Sequence, residues 1–375
     1  MTRVSRLLAA PATTTKFGAL QHRDYRQYFL LALVGMTAES VEHVVSYWVI
    51  FQTFHSPTLA GFAIISHWVP FLLFSVYAGA LADRFDCRKL IQIAQGILML
   101  VSLGWGALFL TGTLRAWHAG ALLVLHGVAG VLVSPALQLI IHDIVGRDHL
   151  QSAIRLNALS RYFCFLLGPA VGGGLMLVIG PGPALLVNVL LYVPLTLYLF
   201  VMPYTGHRGD NGGAPRPMPR FSLGDTFRAL SEIRSEPRIL RMIVLAGATS
   251  LFVGNAFQAQ MPEFAHQHGS EDADVWYSVL FSANAAGAVI GALLLEGVPA
   301  LQGGARAAIV CAGIWGAVMA FFPFVHHYVA AVALLVVGGI FNIAFTSMAQ
   351  ALVQVLAPPG SRGRVVGLFN TSMMG

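Results

Sequence analysis

The chain has 375 residues, of which 57% are apolar and only 10% are charged, against about 25% charged in soluble globular proteins. A compact water-soluble core could not hide so many apolar side chains without leaving large exposed patches. This composition excludes an ordinary soluble enzyme and predicts an all-α polytopic membrane protein. Because one span needs about 20 apolar residues, the length leaves room for roughly ten to twelve spans.

Apolar windows bounded by charged residues, Gly or Pro predict ten complete spans. In chain order they cover residues 27–54, 58–82, 90–112, 117–141, 153–180, 183–203, 239–262, 274–297, 305–325 and 328–355. An eleventh helix is predicted to begin after Pro358-Pro359-Gly360. Residues 1–26 are predicted to be a cytoplasmic lead-in to the first span.

The basic residues orient these spans, since Lys and Arg in short loops stay on the cytoplasmic side. With a cytoplasmic N-terminus, all but two of the 22 basic residues fall at cytoplasmic positions, the exceptions being Arg115 and Arg161. The net charge of +6 therefore reports topology and does not indicate a nucleic-acid partner. We expect a multi-pass protein of the cytoplasmic (inner) membrane.

The segment 204–238, rich in Gly, Pro and Arg, is the one long linker and divides the chain into two parts. Gly79-Ala80-Leu81 matches Gly291-Ala292-Leu293 at an offset of 212 residues, and Gln138 matches Gln350 at the same offset. This repeat predicts two six-helix halves, 27–203 and 239–375. The second half then holds four complete spans and the start of a fifth, so we expect the chain to be C-terminally incomplete.

A motif between the second and third spans carries a family resemblance. The sequence from Gly79 to Lys89 places Gly79, Asp83, Arg84, Arg88 and Lys89 in a pattern that resembles motif A of the major facilitator superfamily, although Asp86 replaces its usual Gly and Cys87 a usual basic residue. The resemblance implies a transporter of two six-helix halves in which motif A braces the halves against helix eleven.

A second motif lies in the fifth span, where Gly168, Pro169, Gly172 and Gly173 resemble the Gly-Pro antiporter motif of the same superfamily. The Phe-Asp within motif A is similar to the branch of siderophore and drug exporters that includes the enterobactin exporter. These resemblances imply efflux of a drug-like or siderophore-like compound.

Ionisable groups inside spans are costly and mark functional sites. Glu39, Glu42, His43 and Tyr47 fall on one stripe of the first span. Two carboxylates beside an imidazole could pass a proton, so the stripe predicts a proton-coupling site, against the alternative of a polar patch that only fixes helix packing.

Two further titratable groups, Arg161 and His126, join these candidates. Arg161 is the one basic residue well inside a predicted span, away from its ends. A buried guanidinium there would need a carboxylate, with Glu39 or Glu42 the natural partner. His126 lies well inside the fourth span and His67 inside the second; lone histidines of this kind serve packing more often than ligation.

These patterns favour a proton-coupled secondary exporter of a small amphipathic or anionic compound. The partners expected are that compound, protons and the lipid bilayer, with no nucleic acid, and the chain is expected to be a monomer. No catalytic residue, cofactor or metal site is predicted, since neither Gly-x-x-x-x-Gly-Lys-Ser/Thr nor His-Glu-x-x-His occurs. The alternative is a non-transporting membrane receptor or scaffold, or a truncated inactive remnant.

Overall fold

The structure is a computed structural model that describes residues 17–207, 233, 236–254, 273–298, 304–358 and 361–374. In these residues the secondary structure is helical, without strands. Most of the predicted linker 204–238 and the start of the lead-in lie outside the described residues.

Ten α-helices follow one another in the described part. They are α1 (Arg23–Phe54), α2 (Pro57–Arg84), α3 (Cys87–Leu110), α4 (Ala116–Ile179), α5 (Pro181–Val201), α6 (Pro237–Thr249), α7 (Ala273–Gly297), α8 (Ala305–Phe321), α9 (Tyr328–Leu356) and α10 (Arg362–Met374). A 3-10 turn, Gly18–Gln21, precedes α1; a π-helical turn, Ser250–Gly254, follows α6; and a second 3-10 turn, Phe322–Phe324, follows α8. Within the described ranges, seven stretches are long and apolar enough to cross a membrane.

The long helix α4 joins two predicted spans. A straight helix of its 64 residues would be about 96 Å long, roughly three times the bilayer core. Gly146 interrupts it with φ 66° and ψ −169°, a backbone conformation that glycine adopts at little cost. α4 therefore consists of two arms, one on each side of Gly146, that correspond to the fourth and fifth predicted spans.

The buried apolar residues form two main clusters. One takes its residues almost entirely from α6 to α10, with Val76 of α2 added. The other comes from the lead-in, α1 to α5 and Met202, with Ala351 of α9 added. Outward-facing apolar side chains such as Leu100, Leu177 and Phe200 remain exposed, as expected for helices whose outer surface meets lipid.

Several helix pairs connect these clusters. α2 packs along α10, and α4 packs against α7 and α9. Where α2 crosses α10, a Cβ added at Gly79 would lie 2.0 Å from the carbonyl oxygen of Gly363. The two backbones touch there, and only glycine permits this contact.

Candidate functional site

A small cavity lies among α1, α2, the first arm of α4 and α3. Its lining residues are Glu42, His43, Ser46, Tyr47, Ala63, His67, Trp105, Leu123 and His126. Four of the predicted site residues, Glu42, His43, Tyr47 and His126, thus come together in one place.

Glu42 is the most deeply buried carboxylate of this cavity, with 1% of its surface exposed. Its Oε1 lies 2.6 Å from Nδ1 of His126, and the Ser102 hydroxyl donates a hydrogen bond to its Oε2. Asn188 Nδ2 in turn donates to Ser102 Oγ at 3.1 Å. Helices α1, α3, α4 and α5 are therefore joined by one polar network, and this network offsets the cost of burying the carboxylate.

Three imidazole rings line the cavity close to one another. The His43 ring centroid lies 4.5 Å from that of His126 and 5.0 Å from that of His67, while the His67 and His126 centroids are 5.6 Å apart. His43 Nδ1 donates a hydrogen bond to the carbonyl oxygen of Glu39 at 2.9 Å. We name His43, His67 and His126 the histidine cluster.

The structure does not bring all predicted residues into the cavity. Glu39 is half-buried and supplies its backbone carbonyl to His43. Arg161 lies at an exposed position on the second arm of α4, and it forms no ion pair with any carboxylate in the described ranges. The predicted pairing of Arg161 with Glu39 or Glu42 is wrong, because neither carboxylate forms an ion pair with Arg161, and His126 and Ser102 contact both Glu42 oxygens.

Motif A meets the N-terminus of α10. Asp83 is 7% exposed and accepts hydrogen bonds from the backbone N–H groups of Gly363 (2.6 Å) and Arg364 (3.0 Å). A carboxylate at this point satisfies two of the free N–H groups of a helix start and interacts favourably with the helix dipole. We call this region of the molecule, where Asp83 caps α10, the motif A end.

The motif's basic residues take different places. Arg88 hydrogen-bonds the carboxylate of Asp86 through Nε and Nη2 and donates to the carbonyl of Met202. The Arg84 guanidinium carbon lies 5.5 Å from the Phe85 ring centroid, while Lys89 is exposed.

The two departures from motif A have local explanations. Asp86 caps α3 by accepting from Arg88 N at 3.0 Å. Partial burial alone would raise the pKa of the Asp86 carboxyl, but its hydrogen bonds to Arg88 and the nearby positive charges outweigh that effect and lower it. Cys87 is fully buried, and a Cβ on Gly206 would lie 2.6 Å from its Sγ, so a long basic side chain would not fit there.

The glycines of the fifth predicted span face α1. A Cβ on Gly168 would lie 2.5 Å from Cβ of Ser40, and one on Gly172 would lie 3.4 Å from Cβ of Val44, whereas Gly173 has open space. Gly168 and Gly172 thus hold the second arm of α4 against the stretch of α1 that precedes and follows Glu42. Pro169 lies between them on the same helix.

A second buried ion pair, which the sequence reading missed, joins α4 to α7. Arg155 Nε lies 2.7 Å from Glu296 Oε2, both side chains are 2% exposed, and Ser152 donates to the other Glu296 oxygen. The available signal was Glu296, an acidic residue in the last turn of an apolar span.

A chain of amides makes further contacts between α4 and the helices that follow the predicted linker. Gln354 Nε2 donates to Gln138 Oε1 at 2.8 Å, and Gln138 Nε2 donates to Asn370 Oδ1 at 3.3 Å. The chain links α9, α4 and α10. Asp83, Glu296 and these amides together hold α2 and α4 against α7, α9 and α10.

A family model described as transmembrane secretion effector matches residues 14–375. The chain belongs to this family. Its members are major facilitator superfamily transporters and not enzymes, so the resemblance seen in motif A is confirmed. The fold expectation of an all-α membrane protein of this superfamily is confirmed as well.

Known proteins agree with this assignment. The chain is 27% identical over 136 residues to a staphyloferrin A transporter of Staphylococcus aureus, a match that covers 35% of this chain and about a third (33%) of that relative's length. A bacterial homologue of the iron transporter ferroportin in its outward-facing state has a TM-score of 0.68 at 15% identity, covering 94% of this chain and 89% of that one. The transporter FucP in its outward conformation has a TM-score of 0.71 at 13% identity, covering 93% and 88%. At these identities the solved structures show a shared fold.

Proposed function

We propose that the chain is a secondary active exporter that couples efflux of a small anionic or amphipathic compound to proton entry. The observation that carries the proposal is the buried Glu42–His126 pair in a cavity shared by four helices. A carboxylate and an imidazole 2.6 Å apart in a low-dielectric site can hold or release a proton together. The match to a staphyloferrin A transporter supports a siderophore-like compound.

We further propose that transport proceeds by alternating access between the halves 27–203 and 239–375. Asp83 and His67 lie on the same helix, 16 positions apart, which corresponds to about 24 Å. The contacts at the motif A end are thus well separated from the cavity, and breaking them would let the two halves move apart at that end. By the charge distribution, the motif A end faces the cytoplasm.

Membrane vesicles that are everted and energised to an acidic interior test the proton coupling. Staphyloferrin A added outside should partly discharge the pH gradient, measured as recovery of a quenched acridine dye, and Glu42→Gln should abolish this response by removing the titratable carboxylate. The matched control is Glu236→Gln, since Glu236 pairs with Arg238 far along the chain from the cavity.

The outcomes separate the alternatives. A full response from Glu42→Gln would refute Glu42 as the coupling group. If the unmodified protein moved neither protons nor staphyloferrin A nor any of a panel of amphipathic dyes, a non-transporting receptor or scaffold would be the better account. Fusions of a reporter active on only one side of the membrane would check the cytoplasmic N-terminus and the inner-membrane location.

A further inference from the structure

The histidine cluster brings three metal-ligating side chains from three helices to one point. His43 lies on α1, His67 on α2 and His126 on α4, and one ring nitrogen of each lies within 4.8 Å of those of the other two. Three imidazoles in such a group are a donor set for first-row divalent transition metals. We propose that His43, His67 and His126 bind a divalent ion of the zinc class inside the cavity.

The hydrogen bonds of the rings fit this assignment. In protein metal sites, a ligating histidine usually holds a carboxylate or backbone carbonyl with its other nitrogen, which fixes the ring. His126 uses Nδ1 for the Glu42 carboxylate, and His43 uses Nδ1 for the Glu39 carbonyl. Nε2 of both rings is thereby left for a metal ion.

Two buried nitrogens of the cluster have no other role in the described part of the chain. Nε2 of His126 and Nδ1 of His67 are buried without a hydrogen-bond partner there. The exposed fraction of His126 is only 6%. A buried polar atom without a partner destabilises the protein. A metal ion would supply the missing interaction.

Charge and space also suit a cation. Glu42 places a carboxylate directly behind His126, which reduces the cost of a divalent ion within the membrane. Tetrahedral coordination at a Zn–N distance of about 2.0 Å needs ring nitrogens about 3.3 Å apart, so the rings would close slightly toward the cavity they line. Three protein ligands leave the fourth coordination position open for water or another ligand, as in catalytic zinc sites.

Metal titration of the purified full chain tests the proposal. The chain is kept in detergent with its affinity tag removed, and ZnCl₂ binding is followed by calorimetry, with one ion bound per chain expected. His43→Gln, His67→Gln and His126→Gln should each weaken binding by more than about 100-fold, and Glu42→Gln by about 10- to 100-fold. The matched control is His327→Gln, at an exposed position before α9, which should bind as the unmodified chain does.

A second measurement needs no variant. CoCl₂ bound to the unmodified chain should give the visible absorption of a low-symmetry tetrahedral ion, and X-ray absorption should count three imidazoles. Absence of binding, equal binding by His67→Gln, or fewer than three imidazoles would overturn the metal site.

The metal proposal deepens the proposed function, since it names a ligand class for the same cavity. Zinc binding is nevertheless measured without a proton gradient, so the two proposals are tested separately. A chain that binds zinc but moves no protons would refute only the coupling proposal. A chain that moves protons but fails the zinc titration would refute only the metal site.

Discussion

Glu42 shows how neighbouring side chains stabilise a single buried carboxylate in a membrane helix. An ionised group at the bilayer centre costs about 2.5–3.5 kcal/mol by insertion scales. His126 and the Ser102 hydroxyl contact its two oxygens, and Asn188 holds the hydroxyl in place. The side chain is therefore stabilised by partners from three other helices, and removing any of them has a cost.

Ser102→Ala should lower the free energy of unfolding by about 1–3 kcal/mol, because Glu42 Oε2 loses its donor while staying buried. Thermal unfolding in detergent measures the change. The control is Ser160→Ala, since Ser160 is also buried but its hydroxyl bonds only the Leu156 carbonyl of its own helix. Equal losses in the two variants would contradict a special role for the Ser102 hydroxyl.

Asp83→Asn should loosen the start of α10. An amide can still accept one hydrogen bond, but it lacks the charge that makes such bonds to N–H groups strong, a difference of about 1 kcal/mol or more. Hydrogen–deuterium exchange should then be faster at Gly363 and Arg364. In Asp86→Asn, which alters the cap of α3, these two amides should exchange as before; unchanged exchange in Asp83→Asn would argue against the cap.

At the scale of helices, small residues decide how closely the elements approach. Little hydrophobic driving force acts between helices in lipid, so packing at small residues is what holds them together. Gly168 and Gly172 let the second arm of α4 lie directly on α1, and Gly79 lets α2 touch α10. The position of Glu42 and the closure of the motif A end both depend on these contacts.

Gly168→Ala should destabilise the chain by about 1–3 kcal/mol, the usual cost of overpacking. The new Cβ would meet Ser40 Cβ at 2.5 Å, so α1 and α4 must separate. Gly173→Ala, on the same helix with nothing within 4 Å, should be neutral or slightly stabilising because alanine favours helix. A lower melting temperature in Gly168→Ala alone is expected; identical melting of both variants would contradict the contact.

At the scale of the whole molecule, the described conformation is closed at the motif A end. Asp83 joins α2 to α10, Arg155 and Glu296 join α4 to α7, and the amides from Gln354 to Asn370 link α9, α4 and α10. Each of these contacts connects helices on opposite sides of the predicted linker. Alternating access would require all of them to break together.

The Arg155–Glu296 pair should behave as a coupled unit. Removing one partner of a buried ion pair strands the other charge at a cost of about 3–5 kcal/mol, whereas replacing both is far less costly. Glu296→Gln should therefore lower the melting temperature more than the double variant Arg155→Met with Glu296→Gln. A double-mutant cycle from thermal unfolding measures the coupling, and additive effects would show that the pair does not stabilise this conformation.

Sequence alone determined the class and most of the elements of this protein. Hydropathy placed the helices near their observed positions, since α1, α3 and α9 begin and end within a few residues of the predicted windows 27–54, 90–112 and 328–355. Each span must by itself be long and apolar enough to cross the bilayer, so its position can be predicted from the local sequence. Motif A indicated the superfamily in one short stretch, and the resemblance implied that this stretch braces the halves against helix eleven.

Only the tertiary structure decided which polar groups meet. His67 was read as a packing residue and no metal site was predicted, because His43, His67 and His126 lie 24 and 59 positions apart in the sequence and share no spacing pattern. Arg161 was expected to pair with Glu39 or Glu42 because all three are charged groups within predicted spans. In the fold Arg161 is exposed, and Glu42 pairs with His126. Helix periodicity tells which face of a helix a residue occupies, but helix packing decides which residues that face meets. Close glycine contacts, such as that of Gly168 of α4 with α1, fix this packing.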